Sequence, residues 1–386
     1  MTQELSDICN FVEERVAVAN LTVDNYVSTE NMFPNKDGIT RSAGVPSIVY
    51  TRAYRVKDIL VSNIRPYFRK IWFADRDGGC STDVLVLRAK KNCTPGFLYY
   101  LLSNDKFFDY ATATAKGTKM PRGDKEALMQ YSVPDMPLAI QIDITDVLST
   151  LDARIAVNRT INHNLEQMAQ AIFKNWFVDF APWSGEQPAD WHNGVLSEIA
   201  PLVYSGGTPN TGITAYWDGN IPWLSSGETR NHFIISPENF ITQEGVDNSS
   251  TRLAHRFDIV MASAGQGSTR GQTSLLMFDS YVNQSVIVMS GPYPLYLFLN
   301  LSGRYTELRA ISDSSSIRGS ITTKMLAQLP ILVPSKNVLE KFALTISPLI
   351  GQIENNLNES MYLATLRDTL LPRLMSGELS VANLQR

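Results

Sequence analysis

Two stretches decide the architecture: Ile144–Val178, ITDVLSTLDARIAVNRTINHNLEQMAQAIFKNWFV, and Phe342–Ser376, FALTISPLIGQIENNLNESMYLATLRDTLLPRLMS. They align without a gap at an offset of 198 in a chain of 386 residues. Identities are few: Ser149/Ser347, Leu151/Leu349, Ile155/Ile353, Asn158/Asn356 and Leu165/Leu363. Apolar class is kept at Leu148/Ile346, Met168/Leu366, Ile172/Leu370 and Trp176/Leu374. One apolar phase held over about 35 residues points to an internal duplication. Within the first copy Leu148, Leu151, Ile155, Leu165, Ala169, Ile172 and Trp176 are spaced by three, four or more residues, the seam of a coiled coil. A helix of about 40 residues is roughly 60 Å long. Asn158 and Asn356 interrupt the seam at the same phase. A buried Asn costs stability and fixes register, so its recurrence predicts two helices paired in one alignment. Solvent-facing asparagines are the competing reading.

Outward from the helices the repeat continues. Asp58-Ile59-Leu60-Val61-Ser62 falls on Asp258-Ile259-Val260-Met261-Ala262, and Asp83-Val84-Leu85-Val86-Leu87 has its counterpart in Ser285-Val286-Ile287-Val288-Met289. The regions before each helix hold short runs of Val, Ile and aromatics cut by Gly-Gly, Pro-Asn and Asp-Gly turns, which predict sheet-rich globules with a few helices, one of them over Pro95 to Tyr110. Each closes on a proline-containing segment, Tyr131-Ser132-Val133-Pro134 or Leu329-Pro330-Ile331-Leu332-Val333-Pro334, after which a helical period begins. The expected division is a globule over 1–135, a helical spacer over 136–182, a second globule over 183–334 and a second spacer over 335–386.

With 44% hydrophobic and 10% aromatic residues the chain can bury a core. Three cysteines, Cys9, Cys80 and Cys93, form no CxxC pair, which removes zinc ribbons and disulfide scaffolds. The acidic start MTQELSDICNFVEERV and the lack of a long apolar run lead us to expect neither a secretory signal nor a membrane span, hence a cytoplasmic location. The net charge of -4 argues against a uniformly basic coat protein. Charge is nevertheless uneven. Thr51 to Lys125 holds 15 Lys and Arg against 7 Asp and Glu, and Arg252 to Lys324 holds 7 against 4, whereas Met1 to Val49 and Glu186 to Thr251 are acidic. Two positive segments at equivalent places suit a polyanion bound at two sites.

The strings inside those segments fit duplex DNA. Arg65, Tyr67, Arg69 and Lys70 follow a predicted strand, and Ser263, Gln266, Ser268, Thr269 and Arg270 occupy the equivalent place in a glycine-rich run. Gln and Arg there suit bidentate contacts to adenine or guanine edges. Lys116, Lys119 and Arg122 correspond to the stretch containing Arg318, with Lys324 beyond it. Phosphate contact is the more frequent role for such residues, and each string alone also fits an ordinary polar turn. Enzyme chemistry has no comparable signal. There is no GxxxxGK[ST] string, no Rossmann spacing in Gly265 to Gly271, no HExxH, and no Asn-Pro-Pro-aromatic or Asp-Pro-Pro-aromatic string, so no catalytic or metal residue is assigned. A stand-alone DNA methyltransferase or nuclease with an unrecognised active site is the alternative, and a purely structural interaction protein a third.

Tyr26-Val27-Ser28-Thr29-Glu30-Asn31-Met32-Phe33-Pro34-Asn35-Lys36, Asp58 through Tyr67, Gly206-Gly207-Thr208-Pro209, Ile221-Pro222-Trp223-Leu224 and Leu370 through Leu379 occur in an order that spans nearly the whole chain. In these strings the chain resembles the specificity subunit of a type I restriction-modification system. The resemblance implies an α+β fold: two tandem α/β target-recognition domains, each followed by a long helix, the helices packed as an antiparallel coiled coil with pseudo-twofold symmetry. It also implies that each domain reads half of a split DNA site. The helices would set the spacer and dock two modification (methyltransferase) subunits that hold S-adenosylmethionine. Restriction subunits carrying the motor and nuclease, with ATP and Mg, would join them, and no cofactor would sit in this chain. Only the second unit opens with Gly-Gly-Thr-Pro, which implies two dissimilar half-sites.

Overall fold

The computed structural model describes residues 2–264, 269–314 and 319–381. The chain divides into two compact units, one formed by Met1–Ile155 with Tyr362–Arg386, the other by Ala156–Met361.

In the first unit, Cys9–Phe11, Val84–Ala89, Ile59–Ser62 and Ile71–Phe73 form one four-stranded sheet in that order. Its side chains alternate between two apolar layers, which is why the run from Ile59 to Val61 is apolar throughout rather than every second residue. Ile59, Val61, Ile71, Leu85 and Leu87 face a cluster with Phe97, Leu101 and Phe108 from the helices Pro95–Ser103 and Asp105–Ala113. Leu60, Trp72, Val84 and Val86 face the opposite way, onto Val27, Tyr54 and Cys80 of a second sheet. That sheet runs Arg15–Ala17, Tyr50–Tyr54, Gly78–Cys80, Tyr26–Val27. The segment expected to mark a boundary is itself a strand, Ser132–Pro134, paired antiparallel with Thr2–Glu4.

The second unit repeats the plan. Leu202–Ser205, Val286–Ser290, Ile259–Ala262, Thr273–Leu276 and Phe233–Ile234 make a five-stranded sheet. Ile259, Met261, Leu275, Ile287 and Met289 point to the helix side, and Val260, Leu276, Val286 and Val288 to the second sheet. Pro330–Val333 closes the globule on His192–Val195 as its counterpart does in the first unit. Local detail is copied as well: Lys57 and Phe257 both have φ near 71°, and Asp77 and Asp279 accept from the backbone N–H groups of Val56 and Arg256 at 2.8 Å. The second sheets share a three-strand core but differ at the edge. Arg15–Ala17 flanks Tyr50–Tyr54 in the first unit, whereas Asn239–Ile241 flanks Trp217–Leu224 in the second. The Gly-Gly pair has a steric reason, because a Cβ on Gly206 would strike the Val282 carbonyl and one on Gly207 would strike Ser250.

Each long helix has 40 residues, Leu138–Phe177 and Lys336–Met375. They are parts of the cores rather than free spacers. Ile144 and Leu148 pack with Leu371, Leu374 and Met375 in the first unit, where Arg367 bonds Asp152 at 2.6 Å. In the second unit Phe173, Trp176 and Phe177 all lie within 6.1 Å, ring centre to ring centre, of Phe342. Asn158 meets Asn356 and Ser360, and Asn162 meets Ile353 and Asn356, so numbers rise on one helix as they fall on the other: the pairing is antiparallel.

Asn158 and Asn356 are both buried, which settles their orientation against the solvent-facing reading. Their side chains do not bond each other. Asn158 Nδ2 donates to Glu359 Oε2 at 2.7 Å and to Ser360 Oγ at 3.3 Å, while Asn356 Nδ2 donates to Asn162 Oδ1 at 2.8 Å. Ser360 and Asn162 are repeat equivalents, so each seam asparagine finds its partner at the same relative position on the other helix.

Candidate nucleic-acid interface

In the first unit the strand Ile59–Ser62 returns as Ile71–Phe73 through Asn63–Lys70, and a 3-10 turn over Pro66–Phe68 forms the tip. Arg65 and Arg69, on either side of that turn, have φ of 50° and 52°. Side-chain-bearing residues adopt this left-handed conformation at a cost of about 1–3 kcal/mol each, so the surroundings must impose it. They do so by backbone hydrogen bonds: Arg65 N–H donates to the Pro121 carbonyl at 2.8 Å, and Asn35 and Lys36 N–H donate to the carbonyls of Phe68 and Arg69 at 2.9 Å. Asn35 and Lys36 are left-handed too. Lys116 and Arg122 exchange backbone hydrogen bonds at 2.8 and 2.9 Å, making the second predicted string a hairpin, and Gly123 N–H ties it to the Asn63 carbonyl at 3.1 Å. Two strings about 50 residues apart in sequence thus form one surface.

The cations on it are mostly engaged. Arg69 pairs with Asp105 at 3.0 Å and Asp109 at 3.5 Å, Lys36 with Asp105 at 3.0 Å, Lys116 with Asp124 at 2.5 Å, and Arg122 with Asp83 at 3.0 Å. The Asp124 contact raises the Lys116 pKa and lowers that of Asp124. Lys70 donates to the Thr29 carbonyl at 2.7 Å and sits 5.8 Å from the Phe68 ring centre; burial pushes its pKa down. Lys119 is exposed with no ion partner among the described residues. Arg65 Nε is enclosed without a hydrogen-bond partner. Surface ion pairs are worth roughly 0–1 kcal/mol, so a phosphate can displace these carboxylates at little cost.

Charge counting overstated the free cations of this segment. Arg52 donates to the Val84 carbonyl at 2.8 Å, Arg88 holds Asp58 at 2.7 Å and Glu14 at 2.8 Å, and Arg55 also bonds Glu14, at 2.8 Å. Glu14 lies in the acidic opening segment, so part of the sequence asymmetry is cancelled inside the fold.

In the second unit Ile321 N–H donates to the Ser263 carbonyl at 2.8 Å, the counterpart of the Gly123–Asn63 bond, so the loop after the central strand meets the segment before the closing strand here too. Gln266, Ser268 and Arg318 lie outside the described residues. Ser263 is buried and bonds the Ser285 carbonyl through its N–H at 2.8 Å and its hydroxyl at 3.1 Å. Arg270, expected to face DNA, is turned inward: it is buried, donates to the Gly319 carbonyl at 2.6 Å and pairs with Asp313. The reason is connective, since the guanidinium bridges the two loops. Thr269 is half-buried, and Lys324 is exposed on the short helix Thr323–Ala327. The sequence reading missed Lys36, Phe68 and Met120. Lys36 ends one quoted string, and Phe68 and Met120 lie inside the two loop strings, but neighbourhood in sequence did not say which side chains share a face.

Among the described residues no group of three His, Cys, Asp or Glu is placed to hold a metal ion, and burial pushes the thiols of Cys9, Cys80 and Cys93 up to about 12. Among the described residues no helix is long and apolar enough to cross a membrane.

The family model described as the type I restriction modification DNA specificity domain matches residues 1–167 and again 188–361. The specificity subunit of the type I restriction enzyme HindI from Haemophilus influenzae is 23% identical, over 85% of this chain and 88% of its own length. That of MjaIX from Methanocaldococcus jannaschii is 25% identical, over 75% and 70%. In fold, the chain is similar to the crystal structure of a type I restriction-modification S subunit from M. genitalium, with a TM-score of 0.59, 16% identity, and 97% and 96% of the two chains covered. A duplicated scaffold matched in both copies by one family model places this chain in the type I restriction-modification DNA specificity family.

Proposed function

We propose that the chain is the non-catalytic, sequence-reading subunit of a type I restriction-modification complex, each globule reading one half of a bipartite DNA site. The observation that carries this is the repeated corner. In both units the loop leaving the central strand is tied by the same backbone hydrogen bond to the segment before the closing strand, and in the first unit that corner gathers Arg65, Arg69, Lys70, Lys116, Lys119 and Arg122. The long helices set the separation of the half-sites and carry docking surfaces for two modification subunits. Exposed Val157, Ile161, Met168, Leu344 and Tyr362 on them support this use. S-adenosylmethionine belongs to those methyltransferase partners, and ATP and Mg to restriction subunits, all in the cytoplasm.

Footprinting of the reconstituted complex tests the reading. Protection of two short tracts of fixed sequence separated by a gap of free sequence is expected; uniform, sequence-independent binding rejects it. Methylation mapping in cells expressing the complete system identifies the site itself.

A further inference from the structure

We infer that the first unit carries an apolar wedge, formed by Tyr67, Phe68 and Met120, that presses against a base step of duplex DNA and reads its half-site partly by how readily that step opens. The inference rests on the DNA-reading function proposed above and adds a mode of recognition to it.

Three observations lead here. The first is exposure: Tyr67, Phe68 and Met120 are 49%, 39% and 48% exposed at the tips of the two loops, although each is large and apolar. The Tyr67 and Phe68 rings lie 4.8 Å apart and are tilted at 55°, so they form one blunt aromatic edge. The second is stiffness. Residues flanking that edge are held left-handed, and Asn35, Lys36 and Pro121 bond its backbone from two directions. A side chain that must unstack bases has to stand on a support that does not yield. The third is charge. Arg65, Arg69, Lys70, Lys116, Lys119 and Arg122 lie in the same two loops as the apolar tip, and Arg69, Lys116 and Arg122 are held there by surface carboxylates that a phosphate can replace. An apolar protein groove has little use for cations in the loops that carry its anchor. Duplex DNA has one, since it presents phosphates outside and stacked, apolar base faces within.

Apolar wedges from loops partially unstack base steps and kink the duplex, and pyrimidine–purine steps yield most easily. The tip therefore favours half-sites in which such a step lies beneath it, without hydrogen-bonding either base. The cations set register on the backbone, while the wedge adds selectivity that direct contacts alone would not explain.

The test uses the full chain in its reconstituted complex. Its preferred duplex is first selected from random sequence, and 2-aminopurine is then placed at each position of the half-site protected by the first unit. Fluorescence should rise several-fold at one step. The Tyr67→Ala, Met120→Ala double variant should abolish the rise and weaken that half-site about tenfold, with its salt dependence and unfolding midpoint unchanged. Tyr67→Phe should retain the rise. Lys119→Ala should do the reverse of the double variant, lowering the salt slope by about one and keeping the fluorescence signal. Silence of the probe at every step in the native complex, or a rise that survives in the double variant, overturns the wedge while leaving sequence reading intact. Failure to select any sequence at all overturns the DNA-reading function beneath it.

Discussion

Arg270 and Lys324 separate two meanings of a cation in a positive segment. Arg270 is buried between two loops, where hydrogen bonds to a charged group contribute about 1.5–3 kcal/mol each. Arg270→Ala should therefore lower the stability of the second unit by about 2 kcal/mol, read as a shifted denaturant midpoint, and any loss of DNA binding should track that loosening. Lys324→Ala, at an exposed position, should leave the midpoint in place and reduce only the salt-sensitive part of binding. A midpoint unmoved by Arg270→Ala would show that the guanidinium is not a brace. Residue identity told us that both carry charge, and the repeat told us where in the unit they fall. It did not tell us which way they point, because a Gly319 carbonyl 49 positions away had to be brought within 2.6 Å first. Arg52 and Arg88 misled the charge count for the same reason.

The paired helices were legible as elements because their signal is periodic and long. Their seam, the repeat and the phase of Asn158 and Asn356 all came from spacing alone. The partnership of those asparagines with Ser360 and Asn162 did not, since it depends on which turn of one helix faces which turn of the other. Asn356→Ala should cost about 1–3 kcal/mol by stranding the buried side-chain oxygen of Asn162, Oδ1. Replacing Asn158, Asn162 and Asn356 together by Leu should recover much of that loss and admit more than one helix register, visible as additional products in cysteine cross-linking between the helices. Restored stability with a single cross-link pattern would deny the asparagines their register role. A second contact joins helix to globule: His232 Nδ1 lies 2.9 Å from Glu166 Oε2, and this carboxylate raises the His232 pKa, with burial opposing. A raised folded-state pKa makes the contribution complete below the ordinary histidine value of about 6.5 and removes it as pH climbs through the higher folded value. The unfolding midpoint of this unit should fall across that window, and His232→Gln should flatten the slope; an identical slope in the variant would assign it to other groups.

For the molecule as a whole, the duplication of two sheet-rich globules was readable from the offset of Asp58–Ser62 and Asp258–Ala262, whereas the covering of those central strands on both faces emerged only from the packing of helices on one side and a second sheet on the other. The edge strands that distinguish the two units were not readable either, because Arg15–Ala17 and Asn239–Ile241 are only three residues each and have no period to detect. If the helices act as a spacer, deleting about four residues, roughly one turn, from the first should change the gap tolerated between half-sites in a methylation assay, and an unchanged gap removes that role. The strand pairing and core membership of the first unit also bear on how the chain is made. Its core includes Leu371, Leu374, Met375 and Val381, whereas the second unit is continuous from Ala156 to Met361. Domains tend to fold as the ribosome releases them, amino-terminal first. Here that order is inverted at the finish: the globule translated first waits, with part of its apolar surface uncovered, for residues translated after the second globule is complete. A premature stop near residue 361 would thus damage the beginning of the protein and spare its middle.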